Sequence, residues 1–336
     1  MQFSRITLLL TFAVMSSLSQ SHAENASGAV LLVANKSDRT LSIVDPEAGR
    51  QVAIVTEDAT TGHEVIASPD GQLAYVPIYG NSGVGLPGTD GRNMLVIDIA
   101  TRKVTGNLDF GHGVRPHCAM FGPKDGLLYV TTEIDQTVTV IDPHTLKIVG
   151  TIPTGQPESH MLAITPDGRR GYTANVGPGT VSVLDMQARK TLAVIPVSAH
   201  VQRISVSVDG STAFTADQTK PQLAGIDTAT NKVKTWIPLP AKGYGTAPTP
   251  DGRWLVVAMP SANKVAVVDL GTMKVAHTID VPSAPQEILV RPDGRVAYAS
   301  CDSSHKIAVI RTSDWTVEKL IDAGAGADGL AWAGAK

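Results

Sequence analysis

The sequence predicts an all-β protein, a seven-bladed β-propeller, and three observations support this fold class. The first is a Pro-Asp-Gly turn motif, or a close variant, whose glycine recurs every 42 residues, at Gly126, Gly168, Gly210, Gly252 and Gly294. The second is that each interval holds four short stretches rich in Val, Ile, Thr and Tyr, which favour strands. The third is a chain end that supplies the strand missing from the first unit. A period in the forties with four strands per unit is typical of propellers.

The four strands are clearest in the third unit, where the sequence predicts them at residues 129–132, 138–142, 147–152 and 161–165. The strand at 138–142 ends on an aspartate, and five other units have an aspartate at the same position. The six aspartates are Asp45, Asp98, Asp142, Asp185, Asp227 and Asp269. An aspartate in a turn accepts hydrogen bonds from the backbone that follows it. The repeated aspartates therefore indicate turns rather than an array of metal ligands.

The number of blades follows from the inner strands, which begin near His63, His117, His160, Gln202, Tyr244, Gln286 and Asp328. The chain opens at residues 29–35 with a segment that matches the second strand of a unit. The last inner strand, at 328–333, is therefore expected to pair with this segment and complete the first blade. Closing the ring in this way removes exposed sheet edges. The count is seven blades.

Two segments carry a family resemblance. They read TVTVIDPHTLKIVGTI, at residues 137–152, and YTANVGPGTVSVLDMQARKTLAVI, at 172–195. They resemble the YVTN repeat of bacterial and archaeal β-propellers, and the resemblance extends over about residues 29–336. It implies the propeller fold. It does not decide the function, because the family includes binding, surface and enzymatic proteins.

The first 23 residues differ in character from the rest. Arg5 precedes a short apolar run at 6–18, and small residues lead to Ala23, which predicts a secretory signal peptide over residues 1–23. Residues 24–336 are then one exported propeller domain, soluble in the periplasm. No later segment has the ~20 apolar residues of a membrane span. The 28 basic and 31 acidic residues are balanced, so a nucleic-acid partner is not expected.

The column of residues at the entry of the inner strands is the strongest functional signal. Three consecutive blades present His63, His117 and His160, and the next presents Gln202. Inner strands line the central channel of a propeller, so these side chains are expected to meet at its mouth. Neutral imidazoles are common ligands of transition metals, and three of them with an open position form a catalytic type of site. The prediction is a divalent metal such as Zn or Cu, with Gln202 as a further ligand.

The same region offers other roles. Glu64 and Glu287 are candidate general bases, and Arg203 a candidate anchor for an anionic substrate. Further around the mouth are candidate cofactor-binding residues, namely Tyr244, Gln286 and Asp328. The histidines could instead only hydrogen-bond neighbouring loops. Strand alternation would also direct only one of two adjacent columns into the channel.

Three functions are consistent with these residues. The leading one is an accessory or binding protein for a metal, a cofactor or a small molecule at the channel mouth. The alternative is a metal-dependent lyase or lactone hydrolase, in which the ion polarises a carbonyl or activates water. The third is an interaction scaffold that docks a periplasmic protein on its loop-rich face.

One insertion interrupts the repeat, because the first interval, from Gly71 to Gly126, is longer than the others. The extra residues lie within 79–92, which include five glycines and one proline. Such a composition disfavours regular structure. The insertion joins the second and third strands of the second blade, where it would be a lid over the channel mouth or a plain solvated loop.

Overall fold

The computed structural model describes residues 28–57 and 60–334, and within them it has 29 β-strands and two short 3-10 helices. The predicted signal peptide, residues 1–23, lies outside the described residues. The 3-10 helices are Pro260–Ala262 and Asp302–Ser304. No helix in the described ranges is long and apolar enough to cross a membrane.

The strands are β1 (Val30–Asn35), β2 (Thr40–Asp45), β3 (Arg50–Thr56), β4 (Thr61–Gly62), β5 (Ile66–Ala67), β6 (Leu73–Gly80), β7 (Asp90–Asp98), β8 (Lys103–Asp109), β9 (Pro116–Phe121), β10 (Leu128–Thr132), β11 (Thr137–Asp142), β12 (Lys147–Pro153), β13 (Ser159–Ile164), β14 (Arg170–Asn175), β15 (Thr180–Asp185), β16 (Lys190–Pro196), β17 (Val201–Val206), β18 (Thr212–Asp217), β19 (Gln222–Asp227), β20 (Lys232–Pro238), β21 (Thr246–Pro248), β22 (Trp254–Met259), β23 (Lys264–Asp269), β24 (Lys274–Asp280), β25 (Pro285–Val290), β26 (Val296–Cys301), β27 (Lys306–Arg311), β28 (Thr316–Asp322) and β29 (Ala327–Ala333).

These strands form seven antiparallel sheets, one per blade, which confirms the predicted fold class. Blade 1 is β29-β1-β2-β3, blade 2 is β4 and β5 with β6-β7-β8, and blade 3 is β9 to β12. Blades 4 to 7 follow in groups of four, from β13 to β28. The inner strand of blade 2 is divided: β4 and β5 both pair with β6, and residues 63–65 lie in the break.

The ring closes as the sequence predicts. β29 pairs antiparallel with β1, so that Leu32 lies opposite Ala331 and Val33 opposite Leu330. Leu32 and Val33 are fully buried, and Ala331 is 2% exposed. Blade 1 is therefore built from both ends of the chain, and β29 covers an apolar edge that β1 would otherwise present to solvent.

The core lies between the faces of neighbouring blades. The second strand of each blade is buried on both faces, as in β10, whereas the outer strand β12 is largely exposed. Large side chains fill the spaces between blades, among them Tyr172 and Phe214, both fully buried. Replacing such a side chain by alanine would cost about 3–5 kcal/mol.

The repeated aspartates make turns, which confirms the turn interpretation. Asp227 Oδ1 accepts hydrogen bonds from the backbone N–H of Thr230 at 2.8 Å and from its hydroxyl at 2.9 Å. These bonds lower the pKa of Asp227. In the Pro-Asp-Gly type of turn, Gly210 has a φ of 74°, where glycine is favoured.

The inner strands carry a β-bulge at the channel end. Ser159 lies opposite Asn175 and Met161 opposite Ala174, so His160 is the extra residue of β13. Arg203 is the extra residue of β17, with a φ of 56°. β9, β25 and β29 show register shifts at the corresponding place. A bulge changes the direction of the side chains around it, and these bulges lie at the mouth of the channel.

Candidate ligand site at the channel mouth

Arg203 extends from blade 5 across the ring and meets carboxylates from three other blades. Its Nη1 donates to Glu64 of blade 2 and, at 2.6 Å, to Oε2 of Glu287 of blade 7. Its Nη2 donates to Oδ1 of Asp328 of blade 1 at 2.8 Å. Arg203 is 2% exposed. None of these blades neighbours blade 5, so the four side chains must meet over the centre of the ring.

The expectation that alternation would direct only one column inward is therefore wrong. Asp328 belongs to the entry column, and Glu64, Arg203 and Glu287 belong to the adjacent one, yet all four meet. The bulges explain this, because two residues of the inner strand there oppose a single residue of the second strand.

The cluster around Arg203, here called the Arg203 cluster, has more carboxylates than cations. Lys36 adds a second cation, with Nζ 3.2 Å from Oδ2 of Asp328 and 2.8 Å from Oδ2 of Asp302. Two cations thus face four carboxylates. Burial raises the pKa of Glu64 and of Glu287, and Arg203 only partly offsets it. Burial also opposes ionisation of Asp328, but Arg203 and Lys36 outweigh it and lower its pKa. The cluster therefore favours a proton on Glu64 or Glu287, which share Nη1.

A second cluster at the mouth consists of imidazoles. The ring centres of His117 and His160 are 3.5 Å apart and the rings are stacked, and those of His63 and His117 are 5.6 Å apart. The Tyr79 ring lies 4.8 Å from His63, 5.2 Å from His117 and 5.7 Å from His160. The three predicted histidines of blades 2, 3 and 4 are thus brought together, around a tyrosine.

Hydrogen bonds between blades position this His cluster. The Thr131 hydroxyl accepts from the Cys118 N–H at 2.9 Å and donates to the His160 carbonyl at 2.8 Å, which links blades 3 and 4. The Gly329 N–H donates to the His63 carbonyl at 2.9 Å. A Cβ at Gly329 would lie 2.6 Å from the Cα of Glu64, so this close approach needs glycine.

Glu133 orients one imidazole. Its Oε1 pairs with Nδ1 of His160, and its Oε2 accepts the Tyr79 hydroxyl at 2.7 Å. Both carboxylate oxygens of Glu133 are therefore engaged, and the residue is 4% exposed. The pairing leaves Nε2 of His160 as the ring nitrogen available to a ligand.

Burial changes the protonation of the other two imidazoles. It lowers the pKa of His63 to about 4 and that of His117 well below the ordinary value of 6.5. The Arg203 cation adds to this effect at both rings, whereas the Asp328 carboxylate opposes it at His63. Both rings are neutral at pH 7. Nδ1 of His117 is buried and has no hydrogen-bond partner among the described residues.

The remaining predicted residues lie with the Arg203 cluster or apart. Gln202 donates through Nε2 to the Tyr244 hydroxyl at 3.0 Å, and the Arg203 guanidinium lies 5.1 Å from the centre of the Tyr244 ring. Gln202 Oε1 is buried without a partner in the described part of the chain. Gln286 donates only a long bond, 3.4 Å, to the Ala284 carbonyl, and no hydrogen bond joins its side chain to either cluster in the described ranges.

Sequence reasoning missed Tyr79, Glu133 and Lys36 as parts of these clusters. The repeat itself could have identified Lys36 and Glu133, because they occupy equivalent positions. The residue directly after the second strand is Lys36, Glu133, Val176, Gln218, Pro260 and Asp302 in blades 1 and 3 to 7. Three members of this column are charged, and all three contact one of the clusters. Tyr79 has no such signal, because its blade carries the insertion.

The insertion is shorter than predicted. β6 extends to Gly80 and β7 begins at Asp90, so the ends of the 79–92 segment are strand and only residues 81–89 are loop. Residues at the ends pair across the hairpin, as Gly80 does with Asp90. Arg115 holds the loop over blade 3, since its Nη2 donates to the Leu86 carbonyl at 2.7 Å.

In the residues that the structure describes, no group of three or more His, Cys, Asp or Glu is arranged to hold a metal ion. At the channel mouth, the stack of His117 on His160 does not suit a shared ion. With metal–nitrogen distances of about 2.0–2.1 Å, two imidazoles on one ion hold their ring centres about 5 Å apart. His63 and His117 meet this spacing, whereas His117 and His160 are closer than it allows.

Fold and mouth together define a class, the seven-bladed β-propellers, here with a polar channel mouth divided into an acidic cluster and an imidazole cluster. No protein-family model matches the chain.

Two comparisons give relatives of this class. The chain is 29% identical over 137 residues to the seven-bladed beta-propeller protein Rv1057 of Mycobacterium tuberculosis, and the match spans 40% of this chain and 32% of that protein. The chain therefore matches only about a third of the length of that relative. Among solved structures, a chain of Kuenenia stuttgartiensis hydrazine synthase aligns with a TM-score of 0.52 and 18% identity, over 76% of this chain and 97% of that one. At this identity the likeness concerns the fold alone.

Proposed function

We propose that this protein is a binding protein that takes one transition-metal ion, Zn²⁺ or Cu²⁺, through His63, His117 and His160. The observation that carries the proposal is the meeting of three imidazoles from three consecutive blades at one end of the channel. Three imidazole ligands with an open fourth position suit either ion. Gln202 would be a further oxygen ligand within the same mouth, because its Oε1 has no hydrogen-bond partner among the residues that the structure describes.

The pairing of Glu133 with His160 supports the proposal. Metal-binding histidines commonly donate their second ring nitrogen to a carboxylate, which fixes the tautomer and the ring orientation. Glu133 meets Nδ1 of His160 in this way. A bound ion would require the His117 and His160 rings to separate from their 3.5 Å stack by about 1.5 Å. Rotation of the His117 side chain would provide this separation, and its Nδ1 has no hydrogen-bond partner to lose among the described residues.

The arrangement favours binding over the lyase or hydrolase alternative. A general base needs a free carboxylate that faces the substrate. Glu64 and Glu287 both accept from Nη1 of Arg203. Arg203 is itself engaged by three carboxylates, so it is not free to hold an anionic substrate.

Calorimetric titration with Zn²⁺ and with Cu²⁺ tests the proposal. One ion per chain is expected. His117→Ala should reduce the affinity by about 100-fold or more, because it removes a ligand. Glu133→Gln should reduce it by about 10- to 100-fold, because it removes the group that orients His160.

The matched control is His144→Ala, since His144 is an exposed residue of an aspartate turn on the opposite face of the ring. Its affinity should equal that of the parent. Equal affinity in the parent and in His117→Ala would overturn the proposal, and the histidines would then only support the loops.

We also propose that the chain belongs to the YVTN-repeat propellers and is exported to the periplasm. The repeat segments of blades 3 and 4 support the first point, and the composition of residues 1–23 supports the second. N-terminal sequencing of the protein from its native host should find Glu24, or a residue near it, as the first residue. An intact Met1 in a cytoplasmic fraction would contradict export.

A further inference from the structure

A cavity of about 490 Å³ lies between the insertion loop and the loops of blades 3 and 4. Its lining includes Leu86, Pro87, Arg115, Ile134, Pro157 and Glu158. This volume is within the range of sites that hold small molecules. The cavity adjoins the His cluster through Glu133, both of whose oxygens are already engaged there, and through Arg115, whose guanidinium lies 5.7 Å from the centre of the Tyr79 ring.

Arg115 is part of the cavity wall, and its positive charge is not available to a ligand. Its Nε pairs with Oδ1 of Asp90 at 2.5 Å and its Nη2 donates to the Leu86 carbonyl at 2.7 Å. A third bond, from Nη1, reaches the Gly83 carbonyl at 3.4 Å. The guanidinium is thus neutralised by Asp90 and occupied by the loop, so it does not favour an anionic ligand.

The rest of the cavity lining is mainly apolar. Leu86 is 60% exposed and Ile134 is 48% exposed, and Pro87 and Pro157 complete the apolar part of the lining. Leu86 and Ile134 are among the most exposed large apolar side chains of the described residues. Exposed apolar surface beside a cavity is typical of a binding site.

Glu158 supplies a carboxylate without a basic partner. Its Oε2 accepts the Gly177 N–H at 2.7 Å, and its φ of 54° places a non-glycine residue in the left-handed region. In the described part of the chain, no Lys, Arg or His forms an ion pair with Glu158, in contrast to Asp90. Its Oε1 lies by the insertion, where a Cβ added to Gly85 would be 2.7 Å away. The cavity therefore combines an apolar wall with one unneutralised acid.

We propose that this cavity binds an organic cation, a primary amine on an apolar body, with the ammonium group on Glu158 and the apolar part against Leu86 and Ile134. The charge-assisted bond supplies orientation, and the covering of exposed apolar surface supplies affinity. The site is separate from the metal site proposed above and stands without it.

Calorimetric titration at pH 7 with 2-phenylethylamine as the probe tests this inference. One saturable site per chain is expected, weaker at higher salt. Two analogues of the same shape serve as comparisons: neutral 2-phenylethanol should bind at least about tenfold more weakly, and phenylacetate more weakly still. Glu158→Gln should reduce the affinity for the amine by at least about tenfold.

A second variant, Leu86→Ser, tests the apolar wall from an exposed loop position, so its folding is not at risk. It should weaken amine and alcohol alike. The control Glu318→Gln, an exposed residue of the outer strand β28, should bind as the parent does. The inference is overturned by equal affinity in Glu158→Gln and parent, by phenylacetate binding as well as the amine, or by the absence of saturable amine binding.

Discussion

The two clusters at the channel mouth satisfy their polar groups in different ways. The Arg203 cluster is ionic and self-contained, since its guanidinium meets carboxylates from blades 1, 2 and 7. In the described part of the His cluster, one buried carboxylate, Glu133, pairs with His160 and with the Tyr79 hydroxyl. The imidazoles of blades 2 and 3 are neutral at pH 7, and Nδ1 of His117 has no partner in the described residues.

The difference separates a structural role from a binding role. A buried arginine that joins four blades through ion pairs ties the ring across its centre, and removing one partner of such a group is costly. Among the described residues His117 has a ring nitrogen without a hydrogen-bond partner, and such a nitrogen does not hold the ring together but retains the capacity to bind a ligand. The entry column alone does not distinguish these roles, because it includes members of both clusters. Three predictions test the comparison, from the largest expected effect to the smallest.

Arg203→Met should destabilise the protein by about 3–5 kcal/mol, because it leaves buried carboxylates without their cation. Urea denaturation at pH 7 measures the free energy of unfolding. The control is Arg169→Met, whose side chain is 81% exposed, and which should change stability by no more than about 0.5 kcal/mol. Similar costs for the two variants would mean that the Arg203 cluster does not tie the ring.

Tyr79→Phe should cost about 1–3 kcal/mol, because Oε2 of Glu133 loses its buried donor. Tyr75→Phe, in the same strand β6, is the control, since the Tyr75 hydroxyl forms no side-chain hydrogen bond within the described residues although the ring is 2% exposed. Thermal and urea unfolding of the pair should rank Tyr79→Phe as the less stable. The reverse order would show that Glu133 does not depend on Tyr79.

The smallest expected effect is a change with pH in Glu287→Gln. Burial raises the pKa of Glu287 in the folded protein above its unfolded value of about 4.3. The folded state therefore binds more protons, and the stability from this group is fully present below that value and is lost as pH rises through the folded pKa. Glutamine does not titrate, so the variant should gain stability relative to the parent between pH 5 and pH 8.

Urea denaturation of both proteins at the two pH values checks this prediction. Glu318→Gln, on the exposed face of β28, should show no such trend. A stability difference between Glu287→Gln and the parent that stays constant with pH would mean that Arg203 neutralises all three of its carboxylates fully.

Much of the fold follows from the sequence because its determinants are local and repeated. Turns at Asp227 and Gly210 depend on hydrogen bonds and backbone angles within a few residues. The predicted strand at 138–142 differs from β11 by one residue at its start. The closure of the ring by β29 follows from counting strands, since a propeller does not leave an edge unpaired.

The metal ligands, the candidate bases and the exported location stay predictions. The sequence identified residues that meet at the mouth, such as His117 and Glu64, because equivalent positions of a repeat lie at equivalent places on the ring. It did not indicate that Glu64 and Glu287 would share one nitrogen of Arg203, which depends on distances between blades far apart in the chain.

The sequence by itself determined the seven blades, the closing strand and the identity of the residues at the channel mouth, because a fixed period carries local structure from unit to unit. Only the tertiary structure decided which side chains pair. The bulges at His160 and Arg203 change the register by one residue, and a shift of that size redirects side chains between the blade and the channel. No local pattern in the chain specifies the position of the Arg203 guanidinium, because its carboxylate partners come from blades on the opposite side of the ring.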